Sequence, residues 1–281
     1  MKIAIASGKG GTGKTTIATN LAYAAAEQGR LAVYLDCDVE EPNGHIFLKP
    51  TVDEERPITR PVPQVDASLC NGCGACGQAC QFSAIVCIGD KPLLFPKLCH
   101  SCGGCVRACP TGALSEVPRE IGTLRIGRSG QLGFIEGRLN VGEAMSPPAI
   151  RAVKAAAPVA DLTIIDAPPG TSCPVIESVR GCDMVLLVTE PTPFGLNDLG
   201  LAVEMVSAMK LPMRVVINRA GRDGKTREFC DRNGIRILAE IPDVRSVAEA
   251  YSRGALIAEL SPTYREGMEC LLDALGQGVA R

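Results

Sequence analysis

Near the amino terminus, Gly8-Lys9-Gly10-Gly11-Thr12-Gly13-Lys14-Thr15 fits the spacing G-x-x-x-x-G-K-[ST]. Its flanks restrict how it can fold. Residues 2–7 are apolar and rich in isoleucine, as a buried strand should be, and residues 14–28 read as a helix closed by Gly29. A glycine-rich turn between a strand and a helix N-terminus aims several backbone N–H groups at one anion, and the helix dipole adds to the attraction. Residues 31–36 read as a second strand, so the chain opens as strand, loop, helix, strand. The loop predicts a cradle for the phosphates of a nucleoside triphosphate, built from Gly8, Gly10, Gly11, Thr12, Gly13, Lys14, Thr15 and Thr16. Lys14 is placed to reach the β- and γ-phosphates, and Thr15 to hold Mg²⁺.

The rest of the chain continues this rhythm after an interruption. Residues 162–167, 184–189, 213–218 and 235–241 read as short strands, with helical patterns between and after them at 196–209 and 263–275. Alternation of this kind predicts an α/β fold, a doubly wound and mostly parallel sheet of the P-loop NTPase type. Residues 121–126 and 132–135 flank Arg128-Ser129-Gly130 as a hairpin. The interruption begins at Arg56-Pro57, Arg60-Pro61 and Val62-Pro63, which predict a stiff linker. The expected organisation is a nucleotide domain from 1–63 and 119–281, with a small inserted domain at 64–118.

Nine of the fourteen cysteines lie in that insert, and eight of them form one tight array. Cys70, Cys73, Cys76 and Cys80 recur 29 residues later as Cys99, Cys102, Cys105 and Cys109, and Ala84-Ile85 recurs as Ala113-Leu114. Both runs have the spacing C-x2-C-x2-C-x3-C and resemble those of bacterial ferredoxins, in which three cysteines hold one [4Fe–4S] cluster and the fourth holds the other. The resemblance implies a small α+β module with two clusters. The first takes Cys70, Cys73, Cys76 and Cys109; the second takes Cys99, Cys102, Cys105 and Cys80. Zinc is the competing occupant, and two complete four-cysteine runs at this spacing argue against it. Cys80 departs from the pattern, because Gln81 follows it where Pro110 follows Cys109. Soft thiolates in a small apolar shell of Ile85, Ile88 and Leu114 suit one-electron chemistry.

Four further features resemble the MinD/ParA/Mrp family of ATPases, which includes dinitrogenase reductase. The loop carries a second lysine, Lys9. In Leu35-Asp36-Cys37-Asp38, Asp38 resembles the carboxylate that orients the attacking water. In Ile164-Ile165-Asp166-Ala167-Pro168-Pro169-Gly170, Asp166 resembles the strand-end carboxylate that binds Mg²⁺ through water. Asn218 and the loop with Pro242 and Asp243 resemble the adenine-reading elements. The resemblance implies Mg²⁺-dependent ATP hydrolysis, with Lys9, Lys14, Asp38 and Asp166 as catalytic residues. It also implies a homodimer in the ATP state, with Lys9 reaching the other subunit's phosphates. In dinitrogenase reductase a cluster bridges the subunits. Cys173 sits at a similar offset to one of its ligands, but the stretch 141–145 offers Glu143 and no cysteine for the other.

Net charge is −2, so no basic footprint for nucleic acid shows in the total. No leader pattern is visible, and no apolar run approaches the roughly 18 residues that span a bilayer. Residues 271–281 have one basic residue, unlike an amphipathic basic membrane tail. A cytoplasmic protein is expected, with a redox or cluster-accepting protein as partner. Cys87, Cys182, Cys230 and Cys270 read as core filler, Cys37 as a redox-sensitive candidate, and His100 as packing beside the second cluster. Three roles compete: ATP-gated electron transfer, iron–sulfur cluster carriage, and a positioning switch with redox-sensing clusters. A complete set of eight ligands, and the lack of the C-x-x-C pair of Mrp relatives, favour the first.

Overall fold

Side chains alternate across each strand, and here both faces are covered. In β1 (Lys2–Ala6), Ile3 and Ile5 pack on one side of the sheet and Ala4 and Ala6 on the other, all essentially inaccessible. The same division runs through β2 (Ala32–Asp36), where Tyr34 lies on the face of Ile3 and Leu35 on the face of Ala4. Helices Lys14–Glu27 and Pro262–Gln277 cover the first face. Helices Pro147–Ala155, Cys173–Val179 and Pro193–Ala208 cover the second. The computed structural model describes residues 1–221 and 224–277. The end of the 271–281 tail therefore lies outside the described residues.

Completing the strands are β3 (Thr51–Val65), β4 (Ile85–Ile88), β5 (Lys91–Leu94), β6 (Leu114–Ser129), β7 (Leu132–Leu139), β8 (Leu162–Asp166), β9 (Met184–Thr189), β10 (Met213–Ala220) and β11 (Ile237–Pro242). The main sheet has nine strands in the order β11-β10-β9-β1-β8-β2-β7-β6-β3. From β11 to β7 all neighbours are parallel, and β7-β6-β3 is an antiparallel extension. The expected mostly parallel sheet is thus observed. So is the hairpin around Arg128-Ser129-Gly130, where β6 turns into β7 with Gly130 at φ 59°.

The stiff linker is not. Residues 51–65 form one strand, paired with β6 from Thr51↔Arg128 to Val65↔Leu114. The prolines were misleading because β3 lies at the edge of the sheet. On the side that faces no neighbour a backbone N–H has no ladder partner, so an edge strand can accommodate Pro57, Pro61 and Pro63. The ribbon runs through both expected domain boundaries, and the insert is carried on its far end.

Beyond the ribbon the chain follows a helix Ala75–Ala79, the hairpin β4–β5, and a helix Gly104–Ala108 before returning as β6. The sequence repeat is a repeat of backbone shape. Gly72, Gly74 and Ser83 have φ of 75°, 77° and 53°; their counterparts 29 residues on, Ser101, Gly103 and Gly112, have 55°, 67° and 68°. Ala84, Ile85, Ala113 and Leu114 are buried at matching positions. Among the described residues, no helix is long and apolar enough to cross a membrane.

Candidate functional site

The phosphate loop crosses from β1 to its helix at the C-terminal ends of the parallel strands, where open α/β sheets bind ligands. It borders a cleft of about 400 Å³ lined by Lys9, Gly10, Gly11, Gly13, Lys14, Thr15 and Thr16. Asp38, Asn218, Pro242 and Asp243 line the same cleft, so four separate segments of the sequence meet there. Gly8 and Thr12 do not line it. Gly8 packs against the backbone of Asp198, and Thr12 is buried beneath the loop. Gly13 must be glycine twice over: its φ is 89°, and a Cβ there would lie 2.1 Å from Asn218 Nδ2. That same Nδ2 donates to the Thr12 carbonyl at 2.8 Å, so Asn218 braces the loop as well as facing the cleft.

Sequence reading missed the far wall of the cleft, where Val244, Val247, Ala248, Tyr251 and Tyr264 stand. The first four belong to or adjoin the helix Arg245–Ser252, whose amphipathic pattern directly after Ile241-Pro242-Asp243 was the available signal. Asp36 was also missed. It ends β2, is fully buried, and accepts from the backbone N–H groups of Asp38, Asn43 and Gly44 at 3.2, 3.1 and 2.9 Å. A lone acid ending an apolar strand is the feature that could have found it.

Sheet register places three buried acids side by side: Asp166 on β8, Asp36 on β2 and Glu136 on β7. Lys14 Nζ donates to Asp166 Oδ1 at 2.7 Å, and the Tyr34 hydroxyl donates to Oδ2 at 2.9 Å. Asp166 itself is fully buried and reaches the cleft through Lys14. Burial, which lowers the Lys14 pKa, is outweighed by Asp166 together with Asp38 and Asp36, and the ammonium is held above its ordinary value. Burial first, then Asp166, pushes the Asp36 carboxyl well up. Burial also raises Asp38 to about 6, with Lys14 pulling the other way. Glu136 is met by His45 Nδ1 at 2.7 Å and by Arg125 at 3.5 Å. On the cleft rim, Lys9 Nζ lies 3.5 Å from Glu190 Oε2, and Arg219 pairs with the other oxygen of Glu190.

The insert contains two small cavities. One is lined by Cys70, Cys73, Cys76 and Cys109; the other by Cys80, Cys99, Cys102 and Cys105. Each therefore draws three sulfurs from one run and one from the other. Among the described residues, no three Cys, His, Asp or Glu side chains converge as ligands of a single metal ion. The donors are spread around each cavity instead. The two crossing cysteines sit in matching backbone cradles. Burial raises the Cys80 thiol, but the N–H groups of Phe82, Ile85, Ala84 and Ser83 together bring it below its ordinary value. The Thr111 hydroxyl lowers Cys109 first, and the N–H groups of Thr111, Ala113 and Leu114 assist against slight desolvation. His100 stacks on Phe82 with centroids 3.6 Å apart, and both line the second cavity.

Of the four cysteines expected as filler, Cys182 and Cys230 are buried, but Cys270 is exposed. Cys87 lines the first cavity with its sulfur 3.8 Å from that of Cys76. Cys37 is fully buried, and burial together with Asp36 raises its thiol pKa, which suits an inert thiol and not a redox-sensitive one. Cys173 is exposed at the start of its helix. Glu143, where a bridging cluster would need a ligand, is bonded to Arg119.

Among solved structures, the fold is similar to the cell division ATPase MinD of Pyrococcus furiosus, with a TM-score of 0.62, 20% identity, and 98% of each chain covered. MinD of Pyrococcus horikoshii complexed with Mg-ADP is similar at a TM-score of 0.60 and 19% identity, covering 100% of this chain and 99% of the other. In sequence, the chain is 33% identical to an uncharacterized protein of Methanocaldococcus jannaschii, over 98% of its own length and 96% of that protein's. It is 24% identical to an iron-sulfur cluster carrier protein of Pyrococcus furiosus, over 90% of this chain and 77% of the relative. The CobQ/CobB/MinD/ParA nucleotide binding domain matches residues 3–257. The loop, the parallel sheet and this match together place the chain in the CobQ/CobB/MinD/ParA nucleotide-binding family.

Proposed function

We propose that this chain is a Mg²⁺-dependent ATPase that holds two [4Fe–4S] clusters and uses nucleotide-driven closure of two copies to gate electron transfer through them. The observation that carries the reading is the crossed lining of the two cavities, three cysteines from one run and one from the other in each. Zinc sites do not call for such an exchange, whereas paired cubanes in a ferredoxin frame do. The order β3, helix, β4, β5, helix, β6 and the repeated backbone angles support the same ferredoxin-like module.

In the cleft, ATP displaces existing partners. Lys14 would turn from Asp166 to the β- and γ-phosphates, and Thr15 and the freed Asp166 are the residues that would hold Mg²⁺, which would offset phosphate charge. Asp38 lines the cleft with a carboxyl near pH 6, ionised at neutral pH and able to orient a water for attack. Lys9 leaves Glu190 and reaches the phosphates bound to the second copy. Pro242, Asp243 and the wall of Val244 to Tyr251 enclose the base, with Asn218 holding the loop in register. In the module, the N–H groups around Cys80 and Cys109 stabilise thiolates at the two crossing positions. Each bound cluster supplies a one-electron couple.

A second reading is cluster carriage, favoured by relatives named iron-sulfur cluster carrier proteins. Against it, each cavity is closed by segments from both runs, so release requires the module to open. Incubating anaerobic holoprotein with an apo acceptor separates the two readings. Iron that stays with the chain supports electron transfer; iron that moves to the acceptor supports carriage and overturns the first. Lys14→Ala is expected to abolish ATP binding while leaving the cluster absorbance intact.

A further inference from the structure

We infer that Arg60 and Glu143 are positioning residues that tie the Cys99 end of the second cage to the segment after Asp38, so that nucleotide in the cleft alters the geometry of that cage. The inference rests on the reading above that both ATP and clusters are bound. Arg60 projects from β3 and is 3% exposed, rare for an arginine. Its Nη1 donates to the Cys99 carbonyl, and its Nη2 donates to the carbonyls of Pro96 and Lys97 at 3.0 and 3.3 Å. The Pro96 and Lys97 carbonyls belong to the turn Pro96–Leu98, which Cys99 directly follows on its way into the second cavity. One guanidinium thus fixes the entry of the second cysteine run.

The other side of Arg60 meets the loop 140–146. Met145 Sδ lies 3.8 Å from Nη1, and Glu143 Oε2 lies 4.0 Å from Nη2. Arg119 is the register partner of Arg60, and two like charges directly opposite would repel. Glu143 resolves the conflict by accepting from both terminal nitrogens of Arg119, one of them at 3.0 Å. The loop is fastened in turn to the segment after Asp38. Leu139 N donates to the Val39 carbonyl at 2.8 Å, and the Ser146 hydroxyl donates to Glu40 Oε1. Val39 and Glu40 directly follow Asp38. The connection from cleft to cage is therefore contiguous: Asp38, Glu40, Ser146, Glu143 with Met145, Arg60, Cys99.

Spatial continuity alone does not make coupling; both sites must bias one element with two arrangements. The 38–41 segment is the candidate for that element, because Asp38 and Glu41 line the cleft and would meet bound nucleotide. A merely structural clamp would hold the cage identically with and without nucleotide.

The test uses anaerobic holoprotein, with hydrogen exchange of amides 98–102 measured without nucleotide and with Mg²⁺ and a non-hydrolysable ATP analogue. In the wild type, nucleotide is expected to change exchange there by about fivefold or more. Ser146→Ala is expected to keep its iron and its nucleotide affinity but lose that change, and Ser146→Thr to restore it. The reduction potential of the second cluster, followed by EPR, is expected to shift with nucleotide in the wild type and not in Ser146→Ala. No change in the wild type with nucleotide and iron both bound, or an undiminished change in Ser146→Ala, overturns the inference. Iron content and nucleotide binding are measured on the same samples. Loss of either overturns the underlying reading, and the coupling with it, and is distinguishable from a silent 98–102 segment in a fully loaded protein.

Discussion

Asp38 is the residue whose surroundings speak most directly to chemistry. Its carboxyl is raised by burial from an ordinary 3.8 to about 6. Between those values the folded state binds a proton that the unfolded state does not, so this group's contribution to stability falls as pH rises through the window. Hydrolysis runs the other way, because a water-orienting carboxylate must be ionised. The value of kcat/KM is expected to climb through about pH 6, and a kcat/KM profile with its acid limb near 4 would contradict this. Asp38→Asn is expected to bind ATP but hydrolyse it about 10²- to 10⁴-fold more slowly in a single-turnover assay. Gly13 makes a separate prediction. Gly13→Ala forces a Cβ into Asn218 at a φ of 89°, and chemical denaturation is expected to show a loss of at least about 1–3 kcal/mol. The place of both at the cleft was legible in the sequence, Gly13 from the loop and Asp38 from its likeness to a water-orienting carboxylate. Asp36 was not, because its importance comes from sheet register that brings it beside Asp166, a neighbour 130 residues away.

Among the elements, the β3–β6 ribbon is where sequence reading and structure part. Three X-Pro steps read as a linker because proline cannot donate to a ladder, yet an edge strand asks nothing of the outward N–H. The edge position depends on which strand pairs with β3, and that pairing is set by β6, more than 50 residues later. The cysteine repeat was legible to the residue, since its spacing is local and the backbone angles repeat with it. The crossed cages allow a sharp prediction. Cys109→Ala is expected to disturb the cluster of the Cys70 run, and Cys80→Ala the cluster of the Cys99 run, each dropping iron from about eight to about four per chain. EPR of the reduced variants identifies which cluster remains. If Cys109→Ala instead lost the cluster of its own run, the crossing would be wrong. Cys87, read as filler, stands in the first cavity because β4 carries it there, a placement that no local pattern announces.

For the whole molecule, the nucleotide fold and its insert are joined by a continuous pair of strands and by Arg60. The α/β class and the cleft were readable from the β–loop–α opening because that motif is local. The chain of contacts between cleft and insert was not, because it runs through Glu143 and Ser146, residues with no motif of their own. Lys9 belongs to this scale, since its proposed target lies on a second copy. Lys9→Ala is expected to bind ATP normally and to stay monomeric with Mg-ATP in sedimentation, where the wild type dimerises. The measurement that bears most directly on the account is native mass spectrometry of anaerobically purified chain, with and without Mg-ATP. The account predicts about eight iron and eight sulfide per chain, and one bound nucleotide on the same iron-loaded species. Chain that carries zinc or no metal, or iron-loaded chain that takes up no nucleotide, would contradict it.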